Sequence, residues 1–124
     1  MSGSLAGRRI LVLEDEYFIA SEMEHWLTRV GAEVIGPWPS VAEALAVLSG
    51  TDAPVHIGVL DINLGHGETA YPVAERMDAL GIPFLFATGN NPEADDQRFR
   101  GRPRLEKPVT SRALVRAVEE LLMA

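Results

Sequence analysis

Apolar runs of strand length alternate along this chain with segments of helical period, and that alternation limits the possible folds more than any other feature. Ile10-Leu11-Val12-Leu13 is the first run, and it stops at Glu14-Asp15-Glu16. Ile19, Met23, Trp26, Leu27 and Val30 then recur at the spacing of one helix face, with Gly31 as the stop. A short second strand reads around Val34-Ile35 and is ended by Gly36-Pro37. Ser40 with Glu43 is a capping-box pattern, and Val41, Ala44, Leu45 and Leu48 give the face of the helix that Gly50 closes. The third run, Ile57-Gly58-Val59-Leu60, ends at Asp61, and Val73, Ala74, Met77 and Leu80 line the helix that runs to Gly81. Pro83-Phe84-Leu85-Phe86-Ala87 predicts a fourth strand, with proline in the first position, where a missing N–H is tolerated. Residues 90–102 are polar and give a poor helical signal. A short fifth strand fits Arg104-Leu105-Glu106, and Leu114, Val115, Val118, Leu121 and Leu122 share the face of a final helix capped by Thr110 or Ser111.

Five strands alternating with helices imply right-handed crossovers and a parallel sheet. Runs that are apolar on both faces suit strands covered by helices on both sides. The expected class is therefore α/β, a three-layer, doubly wound, five-stranded parallel sheet. The 124 residues suffice for one domain with one core. Residues 1–8 read as a disordered lead-in and residues 9–124 as the domain. The net charge of −7 argues against nonspecific nucleic-acid binding, which needs lysine and arginine on phosphates. No apolar stretch approaches the roughly 20 residues that span a bilayer. The start of the chain lacks the pattern of a secretory signal, so the expected location is cytoplasmic. With no cysteine, disulfides and thiolate metal sites are excluded.

In such sheets ligands bind at the carboxyl ends of the strands. There the sequence collects Glu14 and Asp15 after strand one, Asp61 followed by Asn63 after strand three, Thr88 at strand four, and Lys107-Pro108 after strand five. Three carboxylates brought together repel one another unless a cation joins them. Oxygen ligands of this kind suit Mg²⁺, or Mn²⁺ in its place. A carboxylate can act as a nucleophile and form an acyl phosphate. Phosphoryl transfer asks mainly for positioning and charge neutralisation, which a metal, a lysine and a hydroxyl would supply. Any one of these residues alone is ordinarily a turn residue or a helix cap. What carries weight is four matching features at four strand ends, in the order the fold requires.

The motifs Leu13-Glu14-Asp15-Glu16, Leu60-Asp61-Ile62-Asn63-Leu64, Ala87-Thr88-Gly89 and Glu106-Lys107-Pro108 resemble those of the receiver domains of two-component response regulators, over residues 9–123. That resemblance implies the flavodoxin-like receiver fold with strand order 2-1-3-4-5. It matches Asp61 to the phosphorylated aspartate, and Glu14 and Asp15 to the acidic pair that holds Mg²⁺, Asp15 more directly. Asn63 matches the position whose backbone carbonyl completes the metal shell beside the phosphate. Thr88 matches the hydroxyl that moves toward the phosphoryl oxygen, Gly89 could offer its backbone N–H, and Lys107 matches the lysine that pairs with the phosphate. The Lys107–Pro108 peptide is often cis in this family. The implied partner is a sensor histidine kinase or a phosphotransfer protein, and the implied chain is a signalling relay rather than an enzyme. With no output domain after the last helix, output would pass through protein contact, or the domain would act as a phosphate sink.

A finer resemblance, carried by Phe86-Ala87-Thr88-Gly89, Asp61-Ile62-Asn63-Leu64-Gly65 and Tyr71-Pro72-Val73-Ala74, is to the stand-alone "FAT GUY" receivers, which are thought to partner with kinases of the HWE and related types. The tyrosine usual in that class two places after Thr88 is replaced by Asn90-Asn91. Two further departures concern output. Most receivers carry Tyr or Phe three residues before the lysine, as a switch; here Arg104 stands at that switch position. The polar stretch before strand five implies a fourth helix that is short or disordered. Arg98, Arg100, Arg102 and Arg104 alternate there, as a solvated loop or as a docking surface for an acidic partner. His25, His56 and His66 carry no assigned role, and Trp26 and Trp38 read as packing. Two other functions compete with this one. A haloacid-dehalogenase-like phosphatase would need a second Asp where Asn63 stands. A binding module independent of phosphorylation would not need the full set of Asp61, Lys107 and the acidic pair.

Overall fold

The computed structural model describes residues 3–50, 54–89 and 97–123. Five parallel strands, β1 (Arg9–Leu13), β2 (Glu33–Trp38), β3 (Ile57–Leu60), β4 (Phe84–Thr88) and β5 (Arg104–Glu106), form one sheet in the order β2-β1-β3-β4-β5. Four α-helices are seen among the described residues: α1 (Tyr17–Arg29), α2 (Val41–Ser49), α3 (Tyr71–Leu80) and α4 (Ser111–Met123). This is the flavodoxin-like receiver fold.

The two-residue side-chain period of the strands splits the core in two. Ile10, Val12, Val59, Leu85 and Ala87 face α1 and α4, meeting Met23, Leu27, Leu114 and Val118. Leu11, Leu13, Leu60, Phe84 and Phe86 face α2 and α3, meeting Ala44, Leu48, Val73 and Met77. Gly58 is the one small residue of β3. A Cβ there would lie 2.6 Å from the Met77 sulfur, so glycine lets α3 seat its methionine on the sheet. Ser40 Oγ accepts the Glu43 N–H and starts α2, and Thr110 Oγ1 accepts the Ala113 N–H and starts α4.

Three local expectations need correction. The second strand does not end at Gly36-Pro37. It runs on to Trp38, through a register shift against β1 and a cis Gly36–Pro37 bond. The fourth strand begins at Phe84, one residue after the proline, and ends at Thr88 as expected. Part of the supposed lead-in is ordered: Leu5 is buried, its N–H donates to Val30 O, and the Gly7 N–H donates to Gly31 O. One leucine in a polar stretch has no periodicity to announce it, yet it finds the apolar end of α1. Between β4 and β5 a short 3₁₀ helix, Gln97–Phe99, is described, and residues 90–96, including Asn90-Asn91, lie outside the described residues.

The arginines of that stretch stay largely exposed, as a solvated segment would, and two of them are tied to acids of α3. Arg98 pairs with Glu75, and Arg102 makes two bonds to Asp78, at 2.8 and 3.1 Å, both acids being on α3. Between these pairs Phe99 is buried, stacked on Tyr71 at 5.5 Å and edge-on to Phe84 and Phe86. Arg104 is exposed, its guanidinium 5.9 Å from the centre of the Phe86 ring.

Candidate functional site

Strand register brings the chemistry together. Leu13 of β1 pairs with Leu60 of β3, so the next residues, Glu14 and Asp61, leave the sheet side by side. The Asp61 N–H donates to Leu13 O at 2.9 Å, and the Glu14 N–H donates to Trp38 O at 2.9 Å. Thr88 pairs with Glu106, and the Lys107 N–H donates to Thr88 O at 2.9 Å, which carries Lys107 to the same edge. The Lys107–Pro108 peptide is cis.

Glu14 is 2% exposed, Asp61 4% and Thr88 6%; they are the buried polar residues among those described. Lys107 Nζ lies 2.8 Å from Glu14 Oε1 and 3.2 Å from Asp61 Oδ2. Asp61 Oδ1 accepts the Asn63 N–H at 3.3 Å, and the Asn63 side chain is exposed. Glu14 Oε2 accepts the Glu16 N–H at 3.2 Å, and Glu16 Oε2 lies 3.8 Å from Lys107 Nζ. The part played by Glu16 had no signal in the sequence, because it is a backbone donor that holds Glu14. The Thr88 hydroxyl donates to Gly89 O at 3.2 Å. His25 is exposed on α1, His56 Nδ1 accepts the Arg9 N–H at 2.8 Å, and neither belongs to this cluster.

Burial pushes the Glu14 carboxyl up to about 7; Lys107 pulls it back and the Asp61 charge pushes it further up. Burial also raises Asp61, against the pull of Glu14 and Lys107. Burial alone would lower Lys107, but its contacts with Glu14 and Asp61 outweigh that and hold it above its ordinary value. One ammonium thus faces more negative charge than it can balance.

Glu14, Asp15 and Asp61 each offer a carboxylate oxygen within 4.8 Å of the others. Glu14 Oε1 is buried, and its contact with Lys107 lies off the hydrogen-bonding direction, which leaves acceptor capacity unused. A hard donor set with surplus negative charge and an unsatisfied oxygen fits a divalent cation of the Mg²⁺ or Mn²⁺ kind. No described helix is long and apolar enough to cross a membrane.

Comparison with known proteins agrees with this geometry. No protein-family model matches the chain, and no curated protein does. Solved structures do. SdrG from Sphingomonas melonis Fr1, in solution, is 38% identical with a TM-score of 0.74, over 94% of this chain and 97% of that one. The BeF3-activated conformation of SdrG from Pseudomonas melonis Fr1 is 39% identical with a TM-score of 0.73, over 94% and 98%. A response regulator receiver protein from Sinorhizobium medicae WSM419 is 27% identical with a TM-score of 0.81, over 98% of both chains. Site, fold and kinship converge, and the chain belongs to the receiver domains of response regulators.

Proposed function

We propose that this chain accepts a phosphoryl group on Asp61 from a histidine kinase or phosphotransfer protein, in the cytoplasm, and signals through protein contact or acts as a phosphate sink. The observation that carries the reading is Lys107 Nζ held 3.2 Å from Asp61 Oδ2, inside a cluster of three carboxylates. An Asp61 oxygen attacks phosphorus, a new P–O bond forms as the donor's P–N bond breaks, and the imidazole nitrogen leaves with its electron pair. Lys107 steadies the acyl phosphate by pairing with one of its oxygens. Thr88, whose hydroxyl now donates to Gly89 O, is a donor that another phosphoryl oxygen would recruit. The Gly89 N–H is a further donor for that group. A divalent cation on Glu14, Asp15, Asp61 and the Asn63 carbonyl would neutralise the phosphoryl charge.

The subclass belongs to the same proposal. Phe86-Ala87-Thr88-Gly89 supports a stand-alone receiver of the FAT GUY class, charged by a kinase of the HWE type. The BeF3-activated conformation of SdrG supports a site that can be activated. The reading is tested by incubating the chain with phosphorylated histidine kinases. Transfer of label to the wild type but not to Asp61→Asn is expected, and label that persists on Asp61→Asn would overturn the assignment. Efficient transfer from an HWE kinase over kinases of other types would support the subclass.

A further inference from the structure

The segment after Asp61 is a small hairpin with an external tie. Its rungs are the Ala70 N–H to Ile62 O at 2.9 Å, a bridge between Asn63 and Thr69, and the Leu64 N–H to Glu68 O at 3.0 Å. Its tip, Gly65-His66-Gly67, has φ of 79°, 52° and 76°, a left-handed run that glycine makes feasible on either side of the histidine. Ile62 and Leu64 are buried in the core, and the intervening Asn63 is exposed. A Cβ on Gly65 would stand 3.3 Å from Asp15 Oδ2, so the tip lies against that carboxylate.

Glu68 supplies the tie. Its Oε1 accepts the N–H of Val41, the first residue of α2, at 3.1 Å. That N–H is one of the donors a helix start leaves without an intrahelical partner, and Ser40 Oγ serves a different one, that of Glu43. The turn into α2 comes directly from Trp38, whose carbonyl holds the Glu14 N–H. Glu68 therefore spans two loops. One carries Asn63 and touches Asp15, and the other anchors Glu14.

We propose that Glu68 is a positioning residue for the carboxylate cluster, setting the spacing of Asp15 and Asn63 against Glu14 and so the cluster's affinity for a divalent cation. This rests on the phosphoacceptor reading above. The partner groups that orient ligating side chains typically account for about 10- to 100-fold in metal affinity. The lower end is expected here, because the tie acts through backbone.

The test is isothermal titration of the full chain with Mg²⁺, alongside cation-free melting, for wild type, Glu68→Ala, Glu68→Gln, Val41→Pro and the Glu68→Ala/Val41→Pro double variant. Proline is tolerated at the first helical position and deletes the same hydrogen bond from the donor side. Glu68→Ala and Val41→Pro are each expected to weaken Mg²⁺ binding by about tenfold, and the double variant by no more than either alone. Glu68→Gln, which keeps the acceptor, is expected to bind within about twofold of wild type. Unchanged affinity in Glu68→Ala, additive losses in the double variant, or a Glu68→Gln as weak as Glu68→Ala would each overturn the proposal. If Glu68→Ala fails to fold, Val41→Pro and Glu68→Gln still decide it. A wild type that binds no Mg²⁺ and takes no phosphoryl group would remove the phosphoacceptor reading itself, whereas a wild type that does both isolates the Glu68 claim.

Discussion

Lys107 Nζ stands 2.8 Å from Glu14 Oε1, joining the ends of β5 and β1, two strands that β3 and β4 separate in the sheet. The lysine reaches over Asp61 to do so, and contacts it at 3.2 Å on the way. The cluster is therefore coupled electrostatically, and its behaviour with pH and cation follows from that.

The raised Glu14 sets a pH dependence for the cation-free protein. Below about 4.5, the ordinary value, its carboxyl is protonated in folded and unfolded chains alike. Between there and about 7 the unfolded chain ionises while the folded one keeps its proton. The folded state then binds more protons, so stability falls as pH rises through that window and the loss is complete above it. A pK unit is worth about 1.4 kcal/mol, which puts the loss at no more than about 3–4 kcal/mol. Urea midpoints of wild type and Glu14→Gln, measured across the window in chelator, check this; the variant is expected to lose most of the slope.

Magnesium is expected to stabilise the fold by mass action, by about 2.7 kcal/mol at a hundredfold excess over Kd. Melting temperature with and without the cation measures it. Asp61→Ala, which removes one of the three carboxylates, should blunt the response.

Asp61→Asn is expected to raise the stability of the cation-free protein by about 1 kcal/mol, because burial already disfavours the Asp61 charge; the amide's one carbonyl oxygen keeps either the Lys107 or the Asn63 donor, and Lys107 retains Glu14. Chemical denaturation in chelator reads the sign directly.

The aromatic cluster under β4 makes a separate prediction. Phe99→Ala should cost about 3–5 kcal/mol, the usual loss for a buried phenylalanine. Arg102→Ala should cost about 1 kcal/mol or less, since its pair with Asp78 is roughly 40% exposed. Urea unfolding of both variants tests the ranking, and an equal loss would mean the arginine clasp matters as much as the ring.

How legible each part was depended on period and position. Glu14, Asp61 and Thr88 could be read because each ends an apolar run, and Lys107 through the short strand that the alternation places before it; a parallel sheet brings every strand's carboxyl end to one edge. The strand order came with the family resemblance, since the alternation alone leaves it open. Leu5 and Phe99 could not be read as core residues, because each is a single apolar side chain in a polar stretch, and burial of one residue leaves no pattern. Glu68 was equally hidden: its partner is a backbone N–H 27 residues away. Gly36-Pro37 looked like a strand end because proline removes a ladder donor. The strand continues all the same, at the edge of the sheet, where a missing donor is tolerated. At the switch position, Arg104 stays exposed over Phe86, while Phe99 brings an aromatic ring to that side of β4 from the preceding segment.

The most direct test of the central claim is the intact mass of the protein after exposure to acetyl phosphate or phosphoramidate, with and without Mg²⁺, for wild type and Asp61→Asn. The account predicts a gain of one phosphoryl group in wild type, dependent on Mg²⁺ and absent in the variant. A gain that persists in Asp61→Asn, or a wild type that takes no phosphoryl group from either donor or from a phosphorylated kinase, would contradict it.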